Sequence, residues 1–193
     1  MMKKKHLEKI ILLTMAGLFI IWVIGQSTLV QRFFYPFPQR TIVEKYASQY
    51  GVDPLLIVSV MREESKFLPQ SESHKGALGL MQLMPDTARW IAQSIGDKNF
   101  RDDEMLEPDK NIQYGTWYLA SLVKQFHGNI TLALAAYNGG RTHVNQWLAN
   151  NTLDVDHLKV QDIPFPETRD YVQRVLKSYQ TYIKLYTDSG GKN

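Results

Sequence analysis

From Thr41 onward, apolar residues recur again and again at the three- and four-residue spacing of a helix, and no stretch alternates as a half-buried strand does. A chain patterned this way can bury its apolar faces only by packing helix on helix, so the expected fold class is all-α. Asp53 and Pro54 supply an N-cap and a first-turn proline for a helix running to about Glu64 through Leu56, Ile57, Val60 and Met61. A helix over residues 41–50 precedes it. Others are expected over 85–95, closed by Gly96, over 111–126, with Gly128 as C-cap, and over 131–137, 141–149 and 166–186. Residues 66–79 and 97–108 read as loops. The first leads into glycines and flexible Met and Gln side chains suited to an irregular groove wall.

The N-terminal part follows a different pattern. Residues 10–31 contain no Asp, Glu, Lys, Arg or His, and Lys3, Lys4, Lys5 and Lys9 lie on their amino side. That length can span a hydrocarbon core as a helix, and the lysines would hold its start in the cytoplasm. The run ends Val-Ile-Gly-Gln-Ser, a poor cleavage site, so a retained anchor is expected rather than a signal peptide. The expected organisation is a basic cytoplasmic tail (1–9), a single-pass transmembrane signal-anchor (10–31) and a linker (32–40), stiffened by Pro36 and Pro38. An extracytoplasmic helical domain (41–186) and a flexible tail (187–193) follow.

Charge and composition narrow the chemistry. Lys and Arg total 22 against 19 Asp and Glu, but residues 1–40 carry a net +5, leaving −2 for residues 41–193. A mildly acidic domain does not track phosphates, so no nucleic-acid partner is expected. With no cysteine there is no disulfide, thiolate zinc site or thiol nucleophile. The histidines at 6, 74, 127, 143 and 157 have no metal-ligand spacing and read as surface residues. No nucleotide loop or serine-hydrolase elbow is present. Carboxylate chemistry remains. The helical face leading to Glu64 carries Ile57, Val60 and Met61, whereas that of Glu63 includes Ser59, so Glu64 is the better candidate for a carboxyl pressed into apolar surroundings. Such a carboxyl keeps its proton near neutral pH and becomes a usable general acid.

Four stretches then fall in order: Glu64-Ser65; Gly76-Ala77-Leu78-Gly79-Leu80-Met81-Gln82-Leu83-Met84-Pro85; Ala135-Ala136-Tyr137-Asn138-Gly139-Gly140; and Ile163-Pro164-Phe165-Pro166-Glu167-Thr168-Arg169-Asp170-Tyr171-Val172. Together they resemble the signature motifs of the lytic transglycosylase (SLT) domain family, related to goose-type lysozyme, over about residues 41–186. The resemblance implies a lysozyme-like α-helical domain with a groove for peptidoglycan glycan strands, preceded here by the expected transmembrane helix, on the wall side of a bacterial cell membrane. It implies cleavage of the β-1,4 bond between N-acetylmuramic acid and N-acetylglucosamine, leaving 1,6-anhydro ends.

Position by position, the resemblance makes Glu64 the sole acid/base. Ser73 matches a polar residue assisting at the sugar N-acetyl group, and Gln82 and Met84 match groove residues. Tyr137 matches a tyrosine whose hydroxyl points at the catalytic carboxyl, Asn138 follows it in the same turn, and Glu167 matches a second groove carboxylate. The substrate's N-acetyl group takes the place of a second catalytic carboxylate, so no cofactor or metal is implied. Gly139-Gly140 departs from the family's frequent Ala-Gly, and Glu63 would raise the pKa of Glu64 if the two approach. Trp90, Trp117 and Trp147 read as core rather than sugar platforms. Two rivals stay open: a hydrolytic muramidase, and a non-catalytic peptidoglycan-binding subunit of an envelope complex. Protein partners are not legible.

Overall fold

A computed structural model of the chain describes residues 2–25 and 27–187. Two compact units are present, one of residues 1–36 with 183–193 and one of Phe37–Tyr182. Among the described residues there are nine α-helices, two short 3-10 turns and only isolated β-bridges, as the helical periodicity requires.

In the first unit lie α1 (Met2–Gly25) and α2 (Thr28–Phe34). The Arg32 guanidinium donates to the Leu185 carbonyl at 2.7 Å and lies over the Tyr186 ring, whose hydroxyl donates to the Tyr35 carbonyl at 2.8 Å. The transmembrane span expected at residues 10–31 is not supported as a single continuous helix. Ser27 is extended and Thr28 opens a new helix, and among the described residues no helix is long and apolar enough to cross a membrane. The apolar part of α1 starts at Ile10 and rises only about 24 Å before Gly25, short of the roughly 30 Å of a hydrocarbon core. The expected linker at 32–40 is likewise partly helical, since residues 32–34 complete α2 and Arg40 opens the next helix. Of the flexible tail expected at 187–193, all but Thr187 lies outside the described residues.

The second unit holds α3 (Arg40–Tyr50), α4 (Pro54–Ser65), α5 (Pro85–Ile95), α6 (Pro108–Gln125), α7 (Ile130–Gly139), α8 (Arg141–Ala149) and most of α9 (Pro166–Tyr186). Helix α6 is its axis, packing against α3, α5, α7 and the 3-10 turn at Asp102–Leu106. Its Ile112, Leu119 and Leu122 join Val43, Ala47, Leu56, Val60, Met61 and Leu132 in the main core, while Leu83, Ala88, Ile91, Met105 and Tyr114 form a second.

Helix α4 is buried without interruption along Leu55, Leu56, Ile57, Val58, Ser59, Val60 and Met61. Asp53 caps it, accepting from the Leu55 N–H at 2.7 Å with Pro54 in the first turn. Lys66 and Phe67, both left-handed, turn the chain sharply at its end. A rigid helix driven through the core thus delivers Glu63 and Glu64 on its last turn.

Candidate active site

Glu64 sits where the buried stretch of α4 gives out. Burial pushes its carboxyl from an ordinary 4.5 up to about 7; Tyr171 and the Arg174 charge oppose the rise, Glu63 adds to it, and Lys66 opposes it. Desolvation is thus the dominant cause, as the apolar face leading to Glu64 suggests. The Tyr171 hydroxyl, brought by α9, is fully buried and has no hydrogen-bond partner of good geometry. Its interaction with Glu64 is nevertheless the strongest influence working against desolvation.

Glu63 is also sequestered, but differently. Its side chain is 7% exposed, yet its oxygens are occupied by Ser178 Oγ at 2.8 Å and Lys66 Nζ at 2.9 Å. Desolvation alone would raise its pKa, but the Lys66 and Ser178 hydrogen bonds and the Lys66 and Arg62 charges outweigh it, so Glu63 is held below the ordinary glutamate value. Two adjacent carboxyls therefore differ in protonation because one has partners and the other has burial.

The segment between α4 and α5, tied to the end of α4 through Ser65, forms a wall that is stitched down rather than loose. Ser65 donates to the carbonyls of Met61 and Leu80, at 3.1 and 2.9 Å. Leu78 and Leu83 exchange both backbone hydrogen bonds. The fully buried Asn111 of α6 accepts from Met81 N–H at 2.7 Å and donates to the carbonyls of Leu78 and Met105. Gly79 has a φ of +79°, and a Cβ there would lie 2.2 Å from both Asn111 Nδ2 and Met105 O, so only glycine fits.

Several of the expected site residues serve this wall. The Tyr137 hydroxyl donates to the Met81 carbonyl at 2.8 Å, so its proton is committed to the wall and not to Glu64. Burial, and next the Glu64 charge, hold the Tyr137 phenol well above its ordinary pKa, which places it in the electrostatic reach of Glu64. Gln82, left-handed at φ 48°, spends its amide N–H groups on the Ser71 and Gly79 carbonyls. Ser73 Oγ accepts from Ala77 N–H at 2.9 Å, closing a tight turn.

Met84 is exposed and stands at the N-cap of α5. Asn138 is exposed near the end of α7, and Glu167, also exposed, faces Lys75 at 3.9 Å. The Gly139 departure has a structural counterpart, since a Cβ there would come within 2.8 Å of Thr168 Oγ1 on α9. Trp147 is buried, with the Phe165 ring edge-on at 4.9 Å; Trp90 is half-buried against Trp117 and Tyr118. All five histidines are exposed.

Sequence reasoning singles out neither Tyr171, Arg174, Ser178 nor Asn111. Tyr171 lies inside the fourth signature stretch, but its bearing on Glu64 depends on α9 folding back from more than a hundred residues away.

Known proteins match this arrangement. Residues 41–156 match the model of the transglycosylase SLT domain. The chain belongs to the transglycosylase SLT domain family. It is 36% identical over 154 residues to the soluble lytic murein transglycosylase of Salmonella typhimurium, covering 79% of this chain and 24% of that protein. It is 33% identical to the membrane-bound lytic murein transglycosylase C of Edwardsiella ictaluri, covering 75% of this chain and 46% of the relative. The solved 70 kDa soluble lytic transglycosylase of Escherichia coli superposes with a TM-score of 0.75 at 32% identity, over 80% of this chain and 25% of that one. The Pseudomonas aeruginosa lytic transglycosylase Slt, solved as an inactive glutamate-to-glutamine mutant, superposes with a TM-score of 0.70 at 34% identity, covering 79% of this chain and 25% of that one. The chain thus spans about a quarter to a half of these relatives, and its lysozyme-like helical domain is the part shared.

Proposed function

We propose that this chain is a peptidoglycan lytic transglycosylase, cleaving the β-1,4 bond between N-acetylmuramic acid and N-acetylglucosamine with Glu64 as both acid and base. The observation that carries this reading is the pair of adjacent carboxyls in opposite states: Glu64 poised near neutrality by burial, Glu63 fully engaged elsewhere. Glu64 gives its proton to the glycosidic oxygen as the bond to C1 breaks through an oxocarbenium-like state. The oxygen of the substrate's N-acetyl group bonds to C1. The Glu64 carboxylate then takes the C6 hydroxyl proton, the C6 oxygen attacks C1, and the bond to the N-acetyl oxygen breaks. The product carries a 1,6-anhydro ring, Glu64 is protonated again, and no water is consumed.

Glu63, tied to Ser178 and Lys66, is not available as a nucleophile or as a second base. The intramolecular attack needs neither, because a tethered hydroxyl has a high effective concentration. Ser73, Gln82, Met84, Asn138 and Glu167 would line the groove as substrate-binding residues, with Gln82 and Ser73 acting mainly by holding its wall in shape. The names of the relatives support murein as substrate, and the inactive glutamate-to-glutamine form of the Pseudomonas protein supports an essential glutamate.

Mass spectrometry of purified peptidoglycan digested by the full chain tests this. Muropeptides ending in 1,6-anhydro-N-acetylmuramic acid are expected, and Glu64→Gln should lower their rate of formation by about a thousandfold or more while the fold is kept. Reducing ends would make the enzyme a muramidase. Products independent of Glu64 would overturn the assignment of the acid.

A further inference from the structure

Among the described residues Glu63 is a heavily partnered carboxylate, and the chemistry above leaves it without a task. Its Oε1 takes the Ser178 hydroxyl at 2.8 Å and faces Arg62 Nε at 3.8 Å; its Oε2 takes Lys66 Nζ at 2.9 Å and faces Arg174 Nε at 3.5 Å. Ser178 is buried, whereas the Lys66 and Arg174 side chains are 65% and 55% exposed. The solvent-exposed members of the cluster are therefore Lys66 and Arg174. The groups acting on Glu64 are Glu63 from α4, Lys66 at its C-cap, Tyr171 and Arg174 from α9, and Tyr137 from α7. Lys66 and Arg174 thus stand within reach of both carboxyls. Whichever carboxylate holds them stays ionised.

We propose that Glu63 is a positioning residue: fixed by Ser178, it gathers Lys66 and Arg174 onto itself and away from Glu64, so that Glu64 keeps its proton as the general acid. The proposal rests on reading Glu64 as that acid. Two effects act in the same direction. The Glu63 charge itself disfavours a second negative charge next to it, and the cations it holds cannot pair with Glu64. Both favour the protonated acid, and both depend on Glu63 being ionised, which its hydrogen bonds secure.

The test follows Glu64 directly, by carbon NMR of its side-chain carboxyl during a pH titration of the full chain, alongside the pH profile of kcat on peptidoglycan. In Glu63→Gln the Glu64 midpoint should fall by at least about half a pH unit, and the alkaline limb of kcat should move with it, a loss of roughly threefold or more at pH 8. Arg174→Gln alone should move the midpoint up. The double variant should return it towards the wild-type value, which a purely structural role for Glu63 would not produce. An unmoved or raised midpoint in a folded Glu63→Gln overturns the proposal, and so does a double variant no closer to wild type than Glu63→Gln. Should Glu63→Gln fail to fold, Arg174→Gln decides: a midpoint that stays put or falls overturns it. Because NMR reads the Glu64 proton whether or not the enzyme turns over, failure of this proposal is distinguishable from failure of Glu64 as the acid.

Discussion

At the scale of single residues, burial and partnership separate two carboxyls that the sequence places side by side. The apolar spacing Ile57, Val60, Met61 points to Glu64, but it does not show that Glu63 is equally enclosed, because two of the groups that satisfy Glu63, Ser178 and Arg174, come from α9. The tyrosines show the same limit. Motif resemblance points to Tyr137 as the partner of the acid, whereas its hydroxyl is spent on Met81 O and Tyr171 takes up the electrostatic part. The two should respond differently to loss of the hydroxyl. Tyr171 favours ionised Glu64, so Tyr171→Phe should move the alkaline limb of the pH profile upward and lower kcat about tenfold, since in the proposed mechanism the carboxylate accepting the C6 proton loses a stabilising neighbour. Tyr137→Phe should instead cost about 1 kcal/mol of stability through the lost bond to Met81, with the limb in place. Steady-state profiles and thermal melts of both variants check this, and a limb that moves for Tyr137 but not for Tyr171 would reverse the assignment.

At the scale of elements, legibility follows the locality of the signals. The bounds of α5, α8 and α9 are those the capping residues and periodicity indicate, because Gly96, Gly140 and Pro166 act within one turn of the helix end they punctuate. Helix α6 begins three residues earlier than the spacing suggests. Glu107-Pro108 opens it, and Asn111, which by type belongs at a helix start, is turned inward as a clamp on the segment between α4 and α5. Nothing local in the sequence reveals this, since the partners are the backbone groups of Leu78, Met81 and Met105. Likewise α6 closes at Gln125 with Gly128 two residues past its C-cap, its N–H reaching back to Val123 O at 2.8 Å. Asn111→Ala takes the side-chain partner from the buried Met81 N–H and from the Met105 carbonyl, leaving the Leu78 carbonyl only its bond from Leu83 N–H, and should cost about 3 kcal/mol. Amide exchange should then quicken selectively across residues 78–83, and kcat/KM should fall with the wall. Uniform exchange throughout the chain would mean the clamp has no local role.

At the scale of the whole molecule, a poised acid has a thermodynamic signature. The folded-state pKa of Glu64 is about 7 and its ordinary value 4.5, so between those limits the folded chain binds more proton than the unfolded one. Stability therefore falls as pH rises from about 4.5 to 7, by at most about 3 kcal/mol from this group, and then levels off. Glu63 has the opposite sign. Its lowered pKa contributes stability that is present above its ordinary value and lost as pH falls through the folded one, so the two together narrow the range of maximal stability to the mildly acidic side of neutrality. Glu64→Gln isolates the first contribution, since an amide has the shape of the carboxyl without its titration. The variant should melt up to about 5–10 °C above the wild type at pH 8 and within a degree or two of it at pH 4. An equal gain at both pH values would show that Gln stabilises by packing, and no gain at pH 8 would show that the ionised carboxylate is not under strain. The expected pattern, inactive but harder to unfold at alkaline pH, is what results when burial that opposes folding is kept because it holds in place the proton the proposed mechanism uses.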